Sequence, residues 1–128
     1  VLFGAPQDMA AGEQAKRATD CARAMQARLE ELNQEWQGRS LPGLKARMGI
    51  HQGKVVVGNF GSDKRSDYTC IGPTVNLASR IEGACEPGEV FISSGLNALL
   101  SEEQTEVVGD FELKGVSNQT RLYKVRRD

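Results

Sequence analysis

Apolar residues recur at spacings of four and three along the first third of the chain: Ala11, Ala15, Ala18, Ala22, Met25, Leu29, Leu32 and Trp36. That period predicts one long amphipathic helix. Its first half carries alanines, which let it approach a neighbour closely, and the stripe is too short to favour a coiled-coil seam. Asp8 stands where it can cap the helix, and Gly38 and Pro42-Gly43 end it and form a loop. Ahead of it, Val1-Leu2-Phe3 reads as the end of a strand stopped by Gly4 and Pro6. A domain rarely opens on the end of an apolar strand, so a further N-terminal piece is expected.

Beyond the loop the period changes to two. Ala46, Met48 and Ile50 face one way and Lys45, Arg47 and His51 the other, which predicts a half-buried strand over 45–51. Gln52-Gly53 reads as a turn and residues 54–60 as a second strand, together a hairpin. Residues 61–67 are polar and read as a loop or flexible arm, with Lys64 and Arg65 solvated. A strand end at Tyr68 to Ile71 leads through Gly72-Pro73 into a helix over 73–85. Pro87-Gly88 is a turn, 89–92 a short strand and 94–100 a short helix. Residues 105–113 and 121–125 are strands joined by a turn region at 114–120. No repeat or low-complexity segment interrupts this order. The pattern predicts an α/β or α+β architecture, a mostly antiparallel sheet with helices packed on it.

The helix at 73–85 carries the candidate chemistry. Pro73 suits the first helical position, where its missing N–H does no harm. Val75, Ala78, Ile81 and Cys85 share one apolar face at about 100° per residue. Asn76 and Arg80 are i,i+4 neighbours and point about 150° away from that face. Backbone donors, the helix dipole and a guanidinium all favour an anion there, such as a nucleotide phosphate. Spacing alone fits equally an ordinary amphipathic helix whose Asn and Arg are solvated. Gly58 and Gly61 do not form a dinucleotide fingerprint, and there is no phosphate loop of the G-x-x-x-x-G-K kind.

Composition narrows the classes. The chain has 128 residues, 39% hydrophobic and 26% charged, with a net charge of −1. That suits one domain with a real core, argues against disorder and gives no basic footprint for nucleic acid. No apolar run approaches a membrane span, and nothing resembles a signal peptide. Cys21, Cys70 and Cys85 are odd in number and lack metal spacing, so they read as reduced cytosolic thiols. His51 is the only histidine, so a histidine-based metal site is not expected, and its place beside a glycine turn reads as structural.

Two motifs in order carry a resemblance. Arg47-Met48-Gly49-Ile50-His51-Gln52-Gly53 matches an R-x-G-I-H-x-G strand. Ile71-Gly72-Pro73-Thr74-Val75-Asn76-Leu77-Ala78-Ser79-Arg80-Ile81-Glu82 matches an I-G-x-x-V-N-x-A-S-R-x-E turn and helix. Together they resemble the catalytic domain of class III nucleotidyl cyclases, the adenylyl and guanylyl cyclases. Phe111-Glu112-Leu113-Lys114-Gly115 and Leu122-Tyr123-Lys124-Val125 look like that family's closing strands. The resemblance implies an α+β fold, with a ferredoxin-like, mostly antiparallel sheet and packed helices. It covers residues 1–128 as one catalytic domain lacking its N-terminal part.

The resemblance also implies the chemistry. In this family the ribose 3′-hydroxyl attacks the α-phosphate of its own nucleotide and pyrophosphate leaves, with two metal ions, Mg²⁺ or Mn²⁺, in attendance. Arg80 matches the arginine that stabilises charge on the α-phosphate, and Asn76 the asparagine that orients the ribose. Thr69, three residues before Gly72, stands at the base-selecting position. A threonine hydroxyl can accept a hydrogen bond from the adenine amino group, and Thr69 resembles the bacterial subgroup called class IIIb, whose members are adenylyl cyclases. The alternative for Thr69 is a strand residue chosen for β-propensity. The backbone of Cys70 and the side chain of Val75 align with the adenine pocket.

Three departures stand out. The family's two metal-binding aspartates and its base-recognising lysine precede the strand ending at Leu2-Phe3. The phosphate-binding lysine that often follows Lys114-Gly115 is Val116 here, and Lys114 is not assigned its role. Asp8, Asp63 and Asp67 are not at metal-ligand positions. Metal ligands are therefore expected N-terminal to this chain and none within it. The family builds its sites across a head-to-tail dimer, which implies a homodimer acting on ATP in a cytoplasmic signalling domain, with any membrane attachment through regions outside this chain. Two other readings stay open: a non-catalytic cyclase-homology module that binds nucleotide or dimerises, and an unrelated ferredoxin-like interaction domain.

Overall fold

The computed structural model describes residues 1–5, 7–62, 65–116 and 118–126, with side chains left aside at 60, 62 and 65–68. Expectations resting on Pro6, Asp63 and Lys64, and on the side chains of Arg65, Asp67 and Tyr68, lie outside these.

The first helix, α1 (Ala11–Gly38), follows the predicted period. Its cap is Ala10, without a side-chain bond, rather than Asp8. A cap acts from the position directly before the first helical turn, and Ala10 holds that place by accepting the Gln14 N–H at 2.9 Å. The buried line along α1 is Ala15, Thr19, Ala22 and Gln26, displaced to one side of the predicted stripe. Hydrophobicity alone overlooks Thr19 and Gln26. Gln26 is accommodated because its amide donates to the carbonyls of Ala46 (3.0 Å) and Glu89 (3.1 Å). Val1-Leu2-Phe3 is not a strand: it pairs with none of the described strands, and Val1 is fully exposed.

Six strands follow: β1 (Met48–Ile50), β2 (Val56–Ser62), β3 (Arg65–Ile71), β4 (Val90–Ser93), β5 (Thr105–Phe111) and β6 (Thr120–Val125). The main sheet runs β1-β4-β6-β5, and β2 and β3 form a separate two-stranded ribbon. The expected hairpin between 45–51 and 54–60 is corrected here. β1 pairs parallel with β4, Met48 opposite Val90 and Ile50 opposite Ile92. β2 takes β3 as its partner instead, in a separate ribbon, and only three of the seven residues predicted for β1 join the ladder. The expected loop at 61–67 is corrected too. The true hairpin is β2–β3, paired from Val56 with Ile71 to Ser62 with Arg65.

The second helix, α2 (Pro73–Ala84), carries the chain from β3 to β4, and α3 (Ser94–Asn97) follows β4. Alternation along β4 and β6 divides the core. Val90, Ile92 and Val125 pack with Ala15 and Ala22 of α1, while Phe91 and Leu122 pack with Ile81 of α2 and with Cys85 and Leu113. The two helices thus cover opposite faces of the sheet. β5 is an edge strand and bears a bulge between Val107 and Gly109. No helix among the described residues is long and apolar enough to cross a membrane.

Candidate active site

The start of α2 depends on one glycine. Gly72 caps the helix with φ +133°, a left-handed conformation that side chains rarely adopt. Its carbonyl accepts the Asn76 N–H at 3.1 Å, the first helical bond, and Pro73 follows at the first helical position. The turn therefore swings directly from β3 into α2 with no cap side chain across the helix end. Ile81 and Cys85 are buried as predicted, Val75 and Ala78 are half-buried, and Asn76 and Arg80 are both exposed. The polar pair thus stands free on the far side of a seated helix.

Thr69 and Cys70 end β3 just ahead of that turn. Thr69 is exposed and sits opposite Gly58, which sets no side chain beside it. Cys70 is half-buried opposite Val57. The expected base, ribose and phosphate residues thus lie on two consecutive elements joined through Gly72. Lys114 is exposed, in a turn closed by the Val116 N–H on the Leu113 carbonyl at 3.1 Å. Among the described residues no three His, Cys, Asp or Glu side chains converge as metal ligands, so those residues do not by themselves fit a metal centre.

The other candidates resolve as structural. His51 Nδ1 lies 2.8 Å from the Ser93 hydroxyl, which also accepts the Leu96 N–H at 3.5 Å and caps α3. With that hydroxyl donating, His51 is neutral and accepts through Nδ1, and burial pushes its pKa below the ordinary value. Burial raises the Cys85 thiol, which donates to the carbonyls of Glu86 and Glu89. All three cysteines are free thiols. A cavity of about 390 Å³ opens at the β1 edge, lined by residues of α1, β1 and α2. None of Thr69, Asn76 and Arg80 lines it.

Contacts that sequence reasoning missed gather on the segment after β1. The Gln52 amide donates to the Ala11 carbonyl (3.0 Å) and to Gln14 Oε1 (3.0 Å), tying that segment to the start of α1. Gly49 lies directly against the backbone of α2. Its sequence signals are its place in the R-x-G-I-H-x-G motif and a glycine inside a strand, which marks a bulge or a close approach.

This arrangement of sheet, ribbon and helix is that of a class III nucleotidyl cyclase domain. The chain belongs to the family of adenylate and guanylate cyclase catalytic domains, whose model matches residues 1–126. It is 36% identical over 114 residues to adenylate cyclase 1 of Rhizobium meliloti (strain 1021), covering 87% of this chain and 17% of that protein. It is 32% identical over 114 residues to guanylate cyclase soluble subunit beta-2 of Rattus norvegicus, covering 88% and 16%. The crystal structure of the adenylyl cyclase CyaB from P. aeruginosa superposes with a TM-score of 0.89 at 37% identity, covering 98% of this chain and 65% of that one. The guanylyl cyclase Cya2 superposes at 0.80 with 38% identity, covering 96% and 62%. The chain thus spans less than a fifth of the curated relatives and under two thirds of the solved chains.

Proposed function

We propose that this chain supplies the base, ribose and α-phosphate contacts of an adenylyl cyclase, which converts ATP to 3′,5′-cyclic AMP and pyrophosphate. The observation that carries the reading is the exposure of Asn76 and Arg80 together on the outer face of α2, just past the Gly72-Pro73 turn that follows Thr69. Thr69 Oγ1 accepts the adenine amino proton, with the Cys70 backbone and the Val75 side chain walling the base. Asn76 holds the ribose so that its 3′-oxygen lies in line with the α-phosphorus. That oxygen bonds to phosphorus, the bond to the β-phosphoryl oxygen breaks, and the 3′-hydroxyl proton leaves. Arg80 stabilises the charge that builds on the α-phosphate oxygens.

The reading assigns the two divalent ions, Mg²⁺ or Mn²⁺, to ligands outside this chain. It assigns the complete site to a head-to-tail homodimer working on the cytoplasmic side, with no nucleic-acid partner. The test is turnover of ATP by the whole protein with Mg²⁺ or Mn²⁺. Arg80→Ala should lower kcat about 10²–10³-fold while leaving the thermal transition in place; an unchanged rate sinks the assignment of Arg80. Val116, at the place where the family often binds phosphate with a lysine, favours the alternative of a non-catalytic cyclase-homology module. That module would bind ATP, or only dimerise, and release no pyrophosphate.

A further inference from the structure

Gly49 occupies the middle of β1 and its φ is not in the left-handed region, so its backbone alone does not require glycine. Glycine inside a strand weakens it, which calls for a reason, and the reason lies across the sheet face. A Cβ on Gly49 would stand 2.4 Å from the Glu82 nitrogen, 2.8 Å from the Ala78 carbonyl oxygen and 2.9 Å from the Glu82 Cα. All three are backbone atoms of α2, which cannot rotate aside as a side chain can. A second contact lies one turn earlier along the helix. A Cβ on Gly53 would meet Thr74 Oγ1 at 2.6 Å and Cγ2 at 3.1 Å.

Thr74, Ala78 and Glu82 are spaced i, i+4, i+8 and form one ridge of α2. Glu82 also pairs at 3.6 Å with Arg47, the residue just before β1. Asn76 and Arg80 follow the first two of these residues by two positions each, roughly 200° around the helix at 100° per residue. They therefore stand diametrically opposite the ridge that rests on Gly49 and Gly53. The depth of that seat passes straight through the helix to their reach.

We propose that Gly49 is a positioning residue for the cyclase reaction: its missing side chain sets how far α2 carries Asn76 and Arg80 toward the ribose and α-phosphate. The proposal rests on the reading of those two residues as substrate contacts. Bringing the Gly49 contact from 2.4 Å to ordinary packing at 3.4 Å displaces α2 by about 1 Å. A misplacement of that size costs about 10²-fold in rate.

The experiment is steady-state kinetics of the whole protein carrying Gly49→Ala, with Gly83→Ala as control. A Cβ on Gly83, in the same helix, meets nothing within 4 Å. Gly49→Ala should lower kcat about 10²-fold and raise KM for ATP much less, because Thr69 and Cys70 sit on β3 and only the Val75 and Asn76 contacts move with α2. Gly83→Ala should keep the parent rate. Gly49→Ala with a cooperative melt and an unchanged kcat overturns the proposal. Should Gly49→Ala fail to fold, Gly53→Ala decides. Its kcat should fall and return when Thr74→Ala is added, since Thr74 Cβ lies at 3.4 Å; no fall, or no return, overturns the proposal. Arg80→Ala in the same assay keeps the two ideas apart. If Arg80→Ala is silent, the site reading fails; if it alone is damaging, only the seat fails.

Discussion

On the proposed reading Thr69 carries the choice of base, and its setting is spare. It is exposed, its cross-strand partner Gly58 has no side chain, and Val56 and Ile71 on the same face of the ribbon are 60% and 48% exposed. One hydroxyl between two apolar neighbours can accept an amino proton from adenine. A single hydrogen bond of this kind is worth about 1 kcal/mol. Thr69→Cys should therefore shift the ratio of kcat/KM for ATP over GTP by roughly fivefold toward GTP. An unaltered ratio would remove Thr69 from base selection. Arg80 is proposed for a different role, on the transition state, so its loss should appear in kcat rather than in the choice of nucleotide.

Among the elements, α1 is held as much by polar clamps as by its apolar stripe. Gln26 donates to two carbonyls. That of Ala46 also receives the Gly88 N–H at 2.9 Å, and that of Glu89 the Cys85 thiol at 3.3 Å. Gln26→Leu removes both amide bonds and should cost about 1–3 kcal/mol, measured by urea unfolding. The same contacts show why α1 was only half legible. Its length and period were plain, but the buried line runs through Thr19 and Gln26, which no hydrophobic count selects. α2 was legible to its ends because Gly72, Pro73 and the 75–78–81–85 face agree. The ribbon β2–β3 was not. Its tip is polar in sequence, with no period of two to mark it. β1 misled for another reason: its partner, β4, lies some forty residues away, where no local pattern points. The site residues could be placed in sequence only through the two matched motifs, since spacing alone fits a solvated helix equally well.

For the whole molecule, His51 joins the end of β1 to the start of α3, and its protonation bears on global stability. Burial holds its folded pKa below the ordinary 6.5. The unfolded chain therefore binds the proton more readily. His51 contributes stability that is complete above about pH 6.5 and is lost as pH falls through the lowered folded value. Glu106 acts in a lower window, since a hydrogen bond from Lys124 holds its carboxyl below 4.5. Urea unfolding from pH 7.5 to 5.5 should show falling stability, and His51→Gln should flatten that slope; equal slopes would place the dependence elsewhere. The bulge in β5 has a consequence at this scale as well. β5 leaves one flank of the main sheet open, and an open flank invites another chain to add a strand, the first step of aggregation. The extra residue at Val108 breaks the regular spacing of donors and acceptors on that flank. The ion pairs Asp110–Arg121 and Glu106–Lys124 set charge along β5. Crowded beside its own copies, this molecule is guarded on that side against growing into a continuous sheet.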